Sequence, residues 1–304
     1  MQYRAARLWH YRFLLLYVNF NLGPPAALSD ENLMAPGEPM AKGISMASGR
    51  SRNRQRRVSG NSRNRYWIYG RHASMAALGN PLRVCHRLLC ASSHRRTRDI
   101  IGQAVGGQCP VEAVENRVIA GHLTDGAVHQ GLALEVDPLP LPDIGDTLAP
   151  PPDSDKSTVV VLDQVGDPRN IGAILRSAAA FGARAVVTPL AHTPGESGAM
   201  ARAASGGLDL LPWVRAPNLA RLLAEMADFG YWRIGLDAAA TTPLSETDRS
   251  GHVALIVGSE ERGLRSLSRR HCDFLAAIPI SGAMESLNVA TAAAIALYEI
   301  TERE

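Results

Sequence analysis

TVVVLDQVGDPRNIGAILRSAAAFGA, residues 158–183, sets the fold class of this chain. Thr158–Leu162 is a continuous β-branched and aliphatic run, the pattern of a strand covered on both faces. Ile171, Ile174, Leu175, Ala178 and Gly182 then recur on one face of a helix. Outward from this unit the same alternation continues through Arg184–Thr188, Ser197–Ala204, Leu208–Val214, Asn218–Phe229, Trp232–Leu236, Val253–Val257, Phe274–Ile278 and Leu287–Ile300. Strand and helix taken in turn predict an α/β domain over residues 157–304, with a mostly parallel sheet and helices on both faces.

Upstream, Pro138–Asp155 (PLPLPDIGDTLAPPPDSD) is rich in Pro and Asp and cannot continue a helix or a central strand, so residues 138–156 are expected to be a linker. Residues 66–137 are expected to form a smaller domain. Tyr66–Leu78 reads as strand, Gly turn and helix, Pro81–Ser92 is a further apolar segment, and Leu132–Val136 alternates like an edge strand. Residues 1–65 differ in kind. No Asp or Glu occurs from Pro39 through Arg98, and Arg50, Arg52, Arg54, Arg56, Arg57, Arg63 and Arg65 crowd one stretch. Such a run stays solvated or lies along a polyanion. It is either an RNA-phosphate tether or a solubilising tail, and a tether would weaken with salt.

The 304 residues suffice for two modest domains, and 46% hydrophobic with 20% charged residues is an ordinary soluble composition. Phe13–Val18 (FLLLYV) is too short to span a bilayer. Met1–Leu22 is basic without acid. It reads as a mitochondrial transit peptide or as residues ahead of a true start at Met34, Met40 or Met46, and the second reading leaves a cytoplasmic protein. Cys85, Cys90, Cys109 and Cys272 form no Cys-x-x-Cys pair, and with His86 and His94 they match no common zinc spacing. They are expected to be reduced thiols, and neither a metal nor a membrane partner is expected. No GxGxxG follows an early strand, and no Ser–His–Asp, HExxH or P-loop pattern occurs.

Three segments, each starting in or at the end of a predicted strand, carry the chemistry: Val161–Ala183 from the stretch above, Leu255–Leu264 (LIVGSEERGL) and Ile278–Glu299 (IPISGAMESLNVATAAAIALYE). In order and spacing they resemble the three motifs of the SpoU/TrmH family of RNA ribose 2'-O-methyltransferases, within the SPOUT superfamily. The resemblance implies S-adenosylmethionine as cofactor, a homodimer, and a deep trefoil knot in which the last helix passes through a loop. Periodicity alone would give an unknotted sheet. Gly70-Arg71-His72 and His129-Gln130-Gly131 resemble the small L30e-like substrate-binding domain that precedes the catalytic domain in many members. Read without the family, these are turn glycines with solvated or capping histidines.

Methyl transfer to a ribose hydroxyl needs oxygen, methyl and sulfur held in line, water excluded, and a proton removed. By the resemblance, Asn170, Arg176, Glu260, Ser286 and Asn288 form the catalytic set, and Gly258, Gly263, Ile278, Ile280 and Leu287 hold the cofactor. The family assigns the Arg176 position as general base, yet a guanidinium with a pKa above about 12 is better suited to gripping a phosphate. Taken singly, Asn170 and Ser286 would be helix caps and Arg176 a surface ion-pair partner. Glu261 stands where the family commonly has Gly. The implied activity is 2'-O-methylation of RNA, with a guanosine of large-subunit (23S) rRNA first. A tRNA guanosine, or a non-catalytic ribosome-assembly role, would be the alternative, and the latter would be expected to have lost some of the five polar residues.

Overall fold

A computed structural model describes residues 65–94, 98–99, 109–282 and 284–301. The Arg50–Arg63 run and the Met1–Leu22 segment lie outside them. The first layer contains β1 (Tyr66–Tyr69), α1 (Arg71–Gly79), β2 (Cys85–Ala91), β3 (Val111–Val114), α2 (Asn116–Gly121) and β4 (Leu132–Val136). Its sheet order is β1-β4-β2-β3, with β4 antiparallel to both neighbours and β2 parallel to β3. Leu132–Val136 is therefore a central strand and not the expected edge. Its alternation is shallow, since Leu132, Ala133, Leu134 and Val136 are all buried.

The second layer begins with α3 (Ile144–Leu148), inside the expected linker. Asp143 caps it by accepting a hydrogen bond from the Asp146 N–H. Leu148 is fully buried, and Arg184 and Tyr231 donate to the carbonyls of Thr147 and Leu148. The prolines stop a long helix but not this single docked turn.

Then follow β5 (Ser157–Asp163), α4 (Pro168–Ala180), β6 (Ala185–Pro189), α5 (Gly198–Ala204), α6 (Gly207–Leu210), β7 (Trp213–Ala216), α7 (Leu219–Asp228) and β8 (Tyr231–Leu236). After a 3-10 turn at Leu244–Glu246 come β9 (His252–Gly258), α8 (Ser266–Arg270), β10 (Phe274–Ala276) and α9 (Val289–Thr301). All six strands are parallel, in the order β10-β8-β9-β5-β6-β7. Along β5, Val160 and Leu162 join the core shared with α4 and α9, whereas Val159 and Val161 join the core under α7. The continuous apolar run is thus covered on both sides, as its sequence predicts.

The layers share one core, in which Ile68, Leu88 and Leu134 belong to the same buried cluster as Leu162, Ile174 and Met200. A buried ionic knot pins the junction. Arg83, with no side-chain exposure, donates through Nη1 to Glu196 Oε2 at 2.5 Å and through Nε to Asp209 Oδ1 at 2.8 Å. Tyr66 donates to the same Glu196 oxygen at 2.6 Å, and Asn80 Nδ2 donates to Asp209 Oδ1 at 3.2 Å. Burial raises the Asp209 carboxyl above its ordinary value, against the lowering pull of Arg83.

Candidate active site

The strand order reverses direction between β5 and β9, which pair side by side so that Asp163 and Gly258 stand opposite at their C-terminal ends. Such a switch point leaves a crevice at the strand ends, the usual ligand position in open α/β sheets. Three polar side chains from distant parts of the chain meet there. Asn288 Nδ2 donates to Glu260 Oε1 at 2.6 Å and to Asn170 Oδ1 at 3.1 Å, so its two amide hydrogens serve two acceptors. Asn170 Nδ2 donates to Glu260 Oε1 at 3.1 Å, as does the Val289 N–H at 3.1 Å. Each residue of the trio bonds both others.

The trio also builds the end of α9. Asn288 Oδ1 accepts from the N–H groups of Ala290 at 3.0 Å and Thr291 at 3.2 Å, which makes Asn288 the cap. The Glu260 carboxylate then lies at the positive end of the helix, where a negative charge is favoured. Two simple capping readings fail here. Ser286 is exposed with no hydrogen bond among the described residues, because Asn288 takes the cap. Asn170 lies inside the first turn of α4, whose cap is Asp167 accepting from Arg169 N–H, with Pro168 opening the helix. Asn170 is thereby free to reach across to Glu260.

Arg176 does not join the trio. It sits on α4 beyond Leu175, exposed, and its guanidinium makes no ion pair among the described residues, contrary to the surface-pair reading.

Gly258 and Gly263 close the loop that carries Glu260. The Gly263 N–H donates to the Ser259 carbonyl at 2.9 Å, and Gly263 has φ +60°. A Cβ on Gly258 would collide with the Gly263 backbone. The glycine at 258 is thus required by the loop itself. Sequence reasoning overlooked the support beneath it. Asp163, fully buried at the end of β5, accepts from Arg265 Nε at 2.6 Å and from Arg265 N–H at 3.0 Å. A lone acid terminating a TVVVL run is the signal that would have found it. This bidentate pair anchors the far end of the Glu260 loop to the sheet.

Ile278 and Leu287 are half-buried, and Ile280 is 39% exposed, on the segment leading from β10 to α9. Apolar surface is therefore left uncovered on the segment that ends at Asn288. A cavity of about 470 Å³ opens at the ends of β6 and β7, lined by Pro189, His192, Asn218 and Leu267. It shares only Arg265 with the residues above. Burial pushes the Cys85 thiol up to about 12 and the Cys272 thiol up to about 11, so both are neutral near pH 7 and neither is a ready nucleophile. Among the described residues no group of three His, Cys, Asp or Glu side chains could hold a metal ion, and no helix is long and apolar enough to cross a membrane.

Residues 157–298 match the SpoU rRNA Methylase family, and residues 67–142 match the domain described as RNA 2'-O ribose methyltransferase substrate binding. The chain is 36% identical over 237 residues to an uncharacterized tRNA/rRNA methyltransferase of Synechocystis sp., covering 77% of this chain and 61% of that one, less than two thirds of that relative's length. It is 38% identical over 241 residues to the 23S rRNA (guanosine-2'-O-)-methyltransferase RlmB of Xylella fastidiosa, covering 77% of this chain and 94% of the relative. In fold it is similar to the SpoU methyltransferase AviRb from Streptomyces viridochromogenes, solved in complex with AdoMet. The TM-score is 0.66 at 23% identity, over 79% of this chain and 90% of that one.

Proposed function

Since the chain belongs to the SpoU rRNA Methylase family, we propose that it transfers a methyl group from S-adenosylmethionine to a ribose 2'-hydroxyl of RNA, with a guanosine of 23S rRNA as the target. The observation that carries this reading is the Asn170–Glu260–Asn288 trio, drawn from three separated segments to one crevice at the ends of β5 and β9. The guanosine target is supported by the 38% identity to the Xylella fastidiosa enzyme.

The cofactor fits the residues present. Uncovered apolar surface at Ile278, Ile280 and Leu287 suits an adenine ring, and backbone at Gly258 and Gly263 can approach it without side-chain bulk. S-adenosylmethionine supplies the methyl as an electrophilic sulfonium. The chain's own residues do the rest. Glu260, held by three hydrogen bonds, fixes the loop and the start of α9 in one geometry, so that the crevice is preorganised. Ser286, exposed on the loop before the cap, is available to the ribose. Arg176 orients the RNA phosphate so that the 2'-hydroxyl lies in line, and the proton leaves to phosphate or water.

Residues 66–137 act as the RNA-binding domain and residues 157–304 as the catalytic one, with residues 138–156 joining them. The chain works as a homodimer in the cytoplasm. Ile295 and Tyr298 on α9 leave apolar surface exposed for a second copy to cover. The knot belongs to the same proposal: β9 inserts between β8 and β5, and α9 returns to pack against α4. The test is methyl transfer from labelled S-adenosylmethionine to 23S rRNA lacking the modification, followed by ribose-methylation mapping. One protected nucleotide is expected. Absence of transfer to both 23S rRNA and tRNA would refute the enzymatic reading.

A further inference from the structure

Four basic side chains converge where the two layers meet, outside the trio. Arg71 and His72 begin α1 of the smaller layer. Arg202 lies in the last turn of α5, and Arg176 on the adjoining α4. Gly70 has φ +86°, and a Cβ there would stand 3.0 Å from Arg202 Cδ and 3.1 Å from Arg202 Nε. The guanidinium of one layer therefore lies directly across the backbone that introduces Arg71 in the other. Gly206 and Gly207 let the backbones pack closely: a Cβ at Gly206 would sit 3.6 Å from the His72 carbonyl, and one at Gly207 would sit 3.0 Å from the backbone nitrogen of Arg176. On the other flank, Arg71 N–H donates to Gln130 Oε1 at 3.2 Å, which brings the Gly131 turn to the same edge.

Charge balance sets this cluster apart. His72 is held below its ordinary value first by burial and then by Arg71, Arg176 and Arg202, so all three guanidinium groups act on one imidazole. Elsewhere at the same junction an arginine is neutralised by carboxylates, as Arg83 is by Glu196 and Asp209. Arg202 and Arg176 have no such partner among the described residues. Arg176 and Arg202, set side by side without a carboxylate partner, raise the local potential, which a bound anion relieves. A planar guanidinium fork is matched to phosphate oxygens.

We propose that Arg71 and Arg202, reaching from opposite layers, clamp an RNA backbone phosphate beside the one oriented by Arg176. The smaller layer then completes the RNA grip at the active site as well as binding RNA at a distance. This rests on the RNA-methyltransferase reading above. The chemistry recognised is the phosphodiester, independent of base, so the clamp contributes affinity and register and leaves target choice to other contacts.

The experiment uses the full chain, a fluorescently labelled single-stranded RNA 20-mer, and a salt titration followed by anisotropy. In R71Q/R202Q the slope of log affinity against log salt should fall by about 0.7 for each single-strand phosphate no longer neutralised. S-adenosylmethionine affinity should match wild type, which shows that the crevice is intact, and KM for RNA should rise more than kcat falls. The single variant R202Q should show the same effect in smaller measure. R221Q, which removes an exposed cation on α7, is the control and should leave the slope unchanged. An undiminished slope in R71Q/R202Q, or an equal fall in R221Q, would overturn the clamp. Wild-type protein that binds the RNA but transfers no methyl to any rRNA or tRNA would instead defeat the underlying functional reading.

Discussion

Replacing Arg83 by alanine tests how firmly the two layers are joined. The side chain is fully enclosed, 2.5 Å from Glu196 Oε2 and 2.8 Å from Asp209 Oδ1, and those carboxylates are themselves only 8% and 2% exposed. Arg83 Nη1 also donates to the Asp137 carbonyl at 3.1 Å. Removing one side of a buried pair strands the other, at a cost of about 3–5 kcal/mol. At roughly 2–4 °C per kcal/mol for a domain of this scale, Tm should fall by about 6–20 °C. The deficit should depend on pH in a definite sense. Asp209 already titrates above its ordinary value through burial, and loss of the guanidinium removes the main influence holding it down. The stranded carboxyl therefore carries its full penalty above its raised folded pKa and sheds it by protonation as pH falls. Thermal melts of wild type and Arg83→Ala at pH 8 and pH 5 would show a smaller gap at pH 5. A Tm change under about 2 °C at pH 8, or a gap that widens in acid, would refute the reasoning.

Asn288→Asp should keep the α9 cap, and hence stability within about 1 kcal/mol of wild type, because Asp caps as well as Asn. It sets a second carboxylate against Glu260 in place of a 2.6 Å hydrogen bond, so methyl transfer should drop by at least tenfold; unchanged turnover would remove the trio from the mechanism. Arg176→Ala should lose turnover far more than S-adenosylmethionine affinity, and Arg176→Lys should remain poor at every pH; recovery that rises with pH would favour proton acceptance over positioning. Asp273→Asn breaks the paired bonds to Arg233 at 2.6 and 2.9 Å that tie β10 to β8. The Arg233 hydrogen bond lowers the Asp273 carboxyl below its ordinary value, so its contribution is full above the unfolded carboxylate range and is lost as pH falls through the lowered value. The wild-type advantage in melting should accordingly vanish in acid.

The α/β alternation was legible because period and residue type agree: β5, β8 and β9 and helices α4, α5 and α7 fall on their sequence patterns. Asn170, Glu260 and Asn288 were named in the sequence only through the family resemblance, and their mutual hydrogen bonds across 28 to 118 residues were not legible there. What stayed hidden was pairing at long range. No motif in the sequence singles out Arg83, Glu196 and Asp209, and only the fold brings together residues 113 and 126 positions apart. The central place of β4 was missed because a short strand carries no sign of its neighbours. The docked turn α3 was missed because prolines on both sides and an Asp-rich flank mask a five-residue helix. Arg176 kept its expected exposure, but its company, Arg202 and His72 across the junction, could not be read from a sequence spacing.

Asn170 and Asn288 touch across 118 residues of chain. A ribosome adding roughly 5–20 residues per second needs about 6–24 s to make the second after the first. Throughout that interval residues 66–137 and β5 are already made, while β6 to β10 are still being added and one corner of the crevice is missing. On the proposed function, a nascent chain meets RNA before it is able to modify it. A copy whose synthesis stalls before Asn288 would carry the binding surface without the chemistry.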